Sequence, residues 1–175
     1  NLASHLKVRT IDWKKLQQTV ETAIRGLDNV INLNFYPTKE AEKSNLAHRP
    51  IGLGIMGTHD ILHRLGIPYN SKDAVVICGK IQEFISLHAI KTSALLAKEK
   101  GKYPSFKGSE WDSGNFPIDT YCDLMNQREK FSPENVYKRE DFESFEEWEE
   151  VRLLVSEHGM RNSNVMAIAP TATIS

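Results

Sequence analysis

Two histidines one helical turn apart, His59 and His63, have the spacing that can put two imidazoles on one metal ion. The run His59-Asp60-Ile61-Leu62-His63 lacks a Glu after the first His, and no third ligand stands out, so a solvated helix face is the plainer reading. Gly52-x-Gly54-x-x-Gly57 has the spacing of a dinucleotide-binding fingerprint, in which glycines permit a tight turn and close approach of phosphate. Pro50 stands where the preceding strand should run, and Asp73 comes too early for the acidic residue expected about 20 positions on. These glycines are expected instead to let backbone pack against backbone. Cys78 and Cys122 have no His or basic neighbours in sequence, and Cys78, among Val75, Val76, Ile77 and Ile81, reads as a buried, inert thiol. His88 reads as a satisfied core histidine. The carboxylates Glu140, Asp141, Glu143, Glu146, Glu147, Glu149 and Glu150 gather around one helix start, where the helix dipole favours negative charge. A glycosidase pair would instead face across a cleft.

The most informative chemistry stands at the carboxyl end. Val165-Met166-Ala167-Ile168-Ala169 is a continuous apolar run that suits a strand covered on both faces. It leads into Pro170-Thr171-Ala172-Thr173-Ile174-Ser175. Ligands of open α/β folds bind just beyond the carboxyl ends of strands. Small and hydroxyl-bearing residues there leave backbone N–H groups open to an anion such as phosphate. An ordinary strand-to-helix turn would read the same way.

The elements that must hold these residues follow from periodicity. Residues 1–9 read as extended. Asp12 can cap a helix over about 13–31, whose apolar stripe runs through Trp13, Leu16, Val20, Ala23, Ile24, Leu27, Val30 and Ile31. Thr38–Asn45 has room for one or two helical turns. His48 to Gly57 reads as a short buried strand or extended segment. A short helix is expected over about 58–65, stopped by Gly66 and Pro68. Ser71 or Asp73 can cap the longest helix, to about 100, with Ile77, Ile81, Phe84, Ile85, His88 and Leu95 inside. Residues 102–120 read as an ordered irregular loop, followed by a stretch of mixed charge from Asn126 to Asp141. Ser144 and Glu147 make a capping box for a last helix that stops near Gly159.

The 175 residues suit a single partial domain spanning 1–175. Hydrophobic residues at 40% and charged residues at 26% fit a soluble globular chain. A net charge of -1 leaves no basic excess for a nucleic-acid backbone. No apolar run reaches the roughly 18 residues of a membrane span, the first residues show no basic segment followed by an apolar stretch and so no signal peptide is expected, and two thiols do not suggest a secreted disulfide scaffold. A cytoplasmic setting without nucleic-acid or membrane partners is the expectation. Both ends read as internal to a longer chain, since Asn1 is not a Met and Ser175 follows no cap or polar tail.

Taken in order, several segments resemble one family, the large catalytic subunit of ribonucleotide reductases. Arg161-Asn162-Ser163-Asn164 with Val165–Ser175 is similar to that family's strand and P-T-A/G-[ST] phosphate loop. His48-Arg49-Pro50-Ile51-Gly52-Leu53-Gly54 resembles its H-R-P-I-G segment, and Asn34-Phe35-Tyr36-Pro37 its N-Y-Y-P run. The helix ending Leu96-Ala97-Lys98-Glu99-Lys100-Gly101, the loop Tyr103–Gly108 and the opening Asn1-Leu2-Ala3-Ser4 also fit. The resemblance implies an α/β fold, part of a ten-stranded α/β barrel and helix-rich here, in an enzyme that reduces ribonucleotides by thiyl-radical chemistry. It implies that Thr171, Ala172, Thr173, Ile174 and Ser175 bind substrate phosphates, and assigns no catalytic residue and no metal to this stretch. The N-x-C-x-E finger loop and the redox cysteine pair are absent, so this stretch alone is expected to reduce no nucleotide. The partners implied for the full protein are a second large subunit, a radical generator (a metal-containing small subunit or adenosylcobalamin), thioredoxin or glutaredoxin, and ATP or deoxynucleotide effectors. A non-catalytic nucleotide- or phosphate-binding module, or a structural remnant, is the alternative.

Overall fold

The structure is a computed structural model that describes residues 2–7, 10–128, 138, 140 and 142–170. A 3₁₀ turn at Leu2–His5 opens the chain, and β1 (Leu6–Lys7) pairs antiparallel with β2 (Thr10–Ile11) in place of a single extended segment. Helices follow: α1 (Trp13–Leu33), α2 (Lys39–His48), α3 (Thr58–Leu65), α4 (Lys72–Lys100), α5 (Pro117–Arg128) and α6 (Phe145–His158).

Local chemistry accounts for most of these limits. Asp12, Thr38 and Ser71 each accept a hydrogen bond from the backbone N–H three residues on, at 3.1, 3.2 and 3.1 Å, which caps α1, α2 and α4. Ser71 rather than Asp73 therefore starts the long helix. Gly66 ends α3 in the left-handed conformation at φ 74°, and Gly101 ends α4. Helix α2 runs to His48, longer than the one or two turns expected.

Two expectations fail for identifiable reasons. Residues 117–120, expected to be irregular, instead open α5: Pro117 occupies its first position, and the Asp119 carboxylate accepts from the Phe116 N–H at 2.8 Å. Ser144 makes no capping hydrogen bond. Its hydroxyl donates to the Glu83 carboxylate on α4, which also accepts from Trp148 Nε1 at 3.2 Å. The hydroxyl is thereby turned to α4, whereas as a cap it would accept from an N–H group in the first turn of α6.

Helix α4 lies at the centre, packed on α1 along one side and on α6 along the other. Leu16, Val20, Ile24 and Ile31 of α1 meet Ile81, Ile85, Ile90 and Leu96 of α4, and Trp148, Val151 and Val155 of α6 complete the core. Because two helices cover α4, its second half buries residues nearly all round, including Ala89, Thr92, Ser93, Ala94 and Ala97. A single-face pattern is then a poor guide, and Leu95, expected inside, is 40% exposed. Val30 of the α1 stripe is likewise exposed.

The strand expected at 165–169 is reduced, among the described residues, to one parallel bridge between Leu53 and Met166. Ile51 N–H donates to Asn164 O at 3.1 Å, Leu53 N–H to Val165 O at 2.9 Å, and Ala167 N–H to Leu53 O at 3.2 Å. Val165 is buried, but Ile168 is 69% exposed, so this segment is not covered on both faces here. The described residues are thus helix-rich, with strand confined to the β1–β2 hairpin and this pairing.

The glycines of the paired segment make the close approach possible. A Cβ on Gly52 would stand 2.6 Å from Ala167 Cβ, and one on Gly54 would stand 2.8 Å from Ala167 O. Gly26, on the exposed face of α1, would meet nothing within 4 Å. Gly52→Ala and Gly54→Ala should each lower stability by about 1–3 kcal/mol through overpacking, whereas Gly26→Ala should raise it by about 0.5–1 kcal/mol. Urea denaturation midpoints check both signs.

Candidate functional site

The segment that leads to Thr171 is fixed at its start by a buried polar cluster. Asp28 lies on the inner face of α1, fully shielded from water. Arg49 is the C-cap of α2 and holds a left-handed backbone at φ 47°, which turns its guanidinium back towards α1. Its Nε and Nη2 donate to Asp28 Oδ1 at 3.0 and 2.7 Å, and Nη2 also reaches the Asp28 carbonyl at 3.0 Å. Nη1 donates to Asn32 Oδ1 at 2.9 Å.

Asn162 joins the two motif segments. Its Nδ2 donates to Asp28 Oδ1 and to the Arg49 carbonyl, both at 3.1 Å. The Ser93 hydroxyl donates to Asn162 Oδ1 at 2.9 Å and accepts from the Asn162 N–H at 3.1 Å. Arg161 Nε stands 3.4 Å from Asp28 Oδ1, and Lys100 Nζ 3.6 Å from Oδ2. Burial alone would push the Asp28 carboxyl up. The hydrogen bond and charge of Arg49, the charge of Arg161 and the Asn162 amide outweigh that and hold it below its ordinary value.

The Asp28 cluster was not foreseen from sequence. The signal was present: Ile24, Asp28 and Ile31 share one face at helical spacing, and an acid in an apolar stripe calls for a buried cation.

A cleft of about 920 Å³ opens at the amino-terminal end of the pairing, beside His48, Pro50, Trp111, Tyr121, Ser163 and Asn164. Trp111 Nε1 donates to Ser163 O at 2.8 Å. Ser105 Oγ donates to Ala47 O at 3.0 Å and lies 2.6 Å from His48 Nδ1, within hydrogen-bond distance. At the opposite end, Leu2, Leu16, Val20, Leu53, Gly54 and Met56 line a smaller apolar pocket of about 180 Å³.

The residues singled out in the sequence fall as follows. Thr171, Ala172, Thr173, Ile174 and Ser175 lie outside the described residues, as does Asp141; Pro170 is the last described position. His59 and His63 are exposed on α3, and His59 packs on Tyr69 with ring centroids 5.8 Å apart. No group of three or more His, Cys, Asp or Glu converges among the described residues. Cys78 is half-buried, and burial pushes its thiol up; Cys122 is buried in α5. Glu143 pairs with Lys80 at 2.9 Å, Glu150 with Lys91 at 3.6 Å and Glu149 with Arg152 at 3.2 Å, so these carboxylates face separate partners. His88 is not the satisfied histidine expected. Its ring lies 4.3 Å from that of Phe84, and its buried Nδ1 has no hydrogen-bond partner among the described residues.

No described helix is long and apolar enough to cross a membrane. The family model for the ribonucleotide reductase barrel domain matches residues 1–175. The chain belongs to that family. It is 51% identical to the ribonucleoside-diphosphate reductase subunit alpha of Chlamydia muridarum, over all of this chain and 16% of that protein. It is 41% identical to the subunit alpha of Helicobacter pylori strain 26695, over all of this chain and 21% of that protein. Against the large chain of Neurospora crassa the identity is 33%, over 94% of this chain and 16% of that protein. The chain therefore spans about a sixth to a fifth of the length of these curated relatives.

Two predictions come from the site's electrostatics. Arg49→Ala strands a buried carboxylate and should cost about 3–5 kcal/mol. Arg25→Ala removes an exposed pair, Arg25 to Glu99 at 2.7 Å, and should shift the urea midpoint far less. His88 is held below its ordinary value, first by burial and then by the charge of Lys91, with Glu21 opposing. Its folded value lies below its unfolded one, so its stabilising effect is complete above about pH 6.5 and is lost as the pH falls below that. His88→Phe should therefore lose less Tm than the parent between about pH 7 and about pH 5; equal losses would remove His88 as the cause.

Proposed function

We propose that the protein is part of the catalytic subunit of a ribonucleoside-diphosphate reductase, and that this chain supplies barrel scaffold and the loop that binds the substrate's phosphates. Family membership and the names of the relatives support the activity. The observation that carries the assignment to the loop is the parallel pairing of Ile51–Leu53 with Asn164–Ala167. Parallel strands of α/β folds put ligands beyond their carboxyl ends, and Thr171 comes four residues after Ala167. Under this reading the two paired segments belong to the ten-stranded barrel.

The chemistry of the whole protein replaces the ribose 2′-hydroxyl by hydrogen through a thiyl radical. The share of this chain is positional. Backbone N–H groups from Thr171 to Ser175, with the hydroxyls of Thr171, Thr173 and Ser175, neutralise and orient the phosphates, fixing the ribose against the radical cysteine. The radical generator, whether a metal-containing small subunit or adenosylcobalamin, and the thioredoxin or glutaredoxin reductant act from outside this stretch. A cytoplasmic homodimer under ATP and deoxynucleotide control completes the reading.

Thr171→Ala and Thr173→Ala, made in the full-length subunit, test the loop. Each removes a hydrogen bond to a charged group, worth about 1.5–3 kcal/mol, and should raise the Kd for a ribonucleoside diphosphate accordingly. Unchanged affinity in both variants and in their double would refute the phosphate role of these side chains.

A further inference from the structure

We infer that Asp28 is a positioning residue for substrate-phosphate binding, acting through Arg49 and Asn162 on the strand that enters the loop. The inference rests on the proposed role of Thr171–Ser175.

Asp28 sits in the last third of α1, away from both motif segments in sequence, yet it touches the start of each. One of its oxygens, Oδ1, accepts from Arg49 at the head of 49–54 and from Asn162 at the head of 162–167. Asn162 closes the triangle by donating to the Arg49 carbonyl at 3.1 Å. Directly downstream the two segments zip in parallel, through Ile51 to Asn164 and Leu53 to Val165. The carboxylate therefore sets where one segment begins relative to the other. Gly52 and Gly54 leave no side chain to wedge them apart afterwards.

The distances argue for position rather than bulk stability alone. Asn162 is held from both sides: by Asp28 and Arg49 at its amide nitrogen, and by Ser93 at its amide oxygen and backbone N–H. A buried amide with every hydrogen bond satisfied has one orientation. Thr171 stands nine positions further on, and the stretch between is tied by the parallel pairing as far as Ala167. A displacement at Asn162 is passed along that pairing towards the loop. Loosely placed donors weaken phosphate binding in the ground state and the transition state alike, so the effect belongs in KM rather than kcat.

The test uses the full-length large subunit with its radical-generating partner, assayed with cytidine diphosphate. Asp28→Asn keeps the shape and one acceptor but removes the charge. Ser93→Ala is the milder second variant, since it releases only the Asn162 end. The expected result is a KM raised about tenfold in Asp28→Asn, with kcat held within about twofold, and a smaller KM rise in Ser93→Ala. A purely structural role would lower kcat in step with the folded fraction and leave the KM of the surviving enzyme unchanged. That outcome in Ser93→Ala, or in Asp28→Asn where it folds, overturns the inference. The Thr171→Ala and Thr173→Ala variants serve as the reference. If they raise KM and the Asp28 and Ser93 variants do not, positioning fails while the loop reading stands. If the threonine variants also leave KM unchanged, the loop reading fails and takes this inference with it.

Discussion

A carboxylate removed from water needs its charge and its lone pairs satisfied, and much of this fold is arranged to do that for Asp28. Its partners come from three otherwise separate places: the end of α2, the end of α4 and the turn after α6. Arg49 must adopt a left-handed backbone to reach it, a conformation that costs a non-glycine residue about 1–3 kcal/mol. Glycine would be the easier choice at a helix C-cap. The guanidinium explains its absence, because two parallel donors from Arg49 to one carboxylate oxygen, with a third to Asn32, require a planar fork that no lysine offers.

The same cluster closes the end of the central helix. Arg161 Nη1 donates to the carbonyls of Lys100 and Gly101 at 3.1 and 2.9 Å, where α4 leaves its last acceptors unpaired. A cation there also meets the negative end of the helix dipole. Arg161 thus serves a carboxylate and a helix terminus together, and its backbone N–H is held in turn by Ser93 O at 3.1 Å. The Arg161-Asn162 pair is bound to α1, α2 and α4 before the chain turns into the parallel pairing. That is why residues so far apart in sequence as Asp28 and Asn162 belong to one rigid unit.

Elements with a single buried face and a local stop signal were legible in the sequence. Helix α3 ends at Gly66 as expected, and α1 and α6 start and stop within a few residues of their caps and glycines. The unread features depend on partners distant in sequence. The irregular reading of 102–120 missed the start of α5 because that start depends on Asp119 turning back to the Phe116 N–H. The Ser144 capping box failed because the hydroxyl turns to the carboxylate of Glu83, distant in sequence. The segment resemblances located the paired stretches 48–57 and 161–170, but not what joins them. That junction is one acid in an apolar stripe, whose meaning appears only when Arg49 and Asn162 are brought to it.

Two constraints of different kind act on the same pairing. The polar one, at Arg49 and Asn162, fixes where the segments start. The steric one acts further along and is directional. In an extended chain alternate residues share a face, so Gly52 and Gly54 look the same way, towards Ala167, while Leu53 and Ile55 turn towards the core. A slip by one residue would drive Leu53 against Ala167 and swing the glycines inward, losing core contact and creating a clash in one move. Hydrogen bonds alone would not forbid such a slip, since the backbone donors and acceptors repeat along the strand. The register therefore needs both devices. The buried cluster selects the starting point, and the two glycines penalise every neighbouring register that the backbone would otherwise accept.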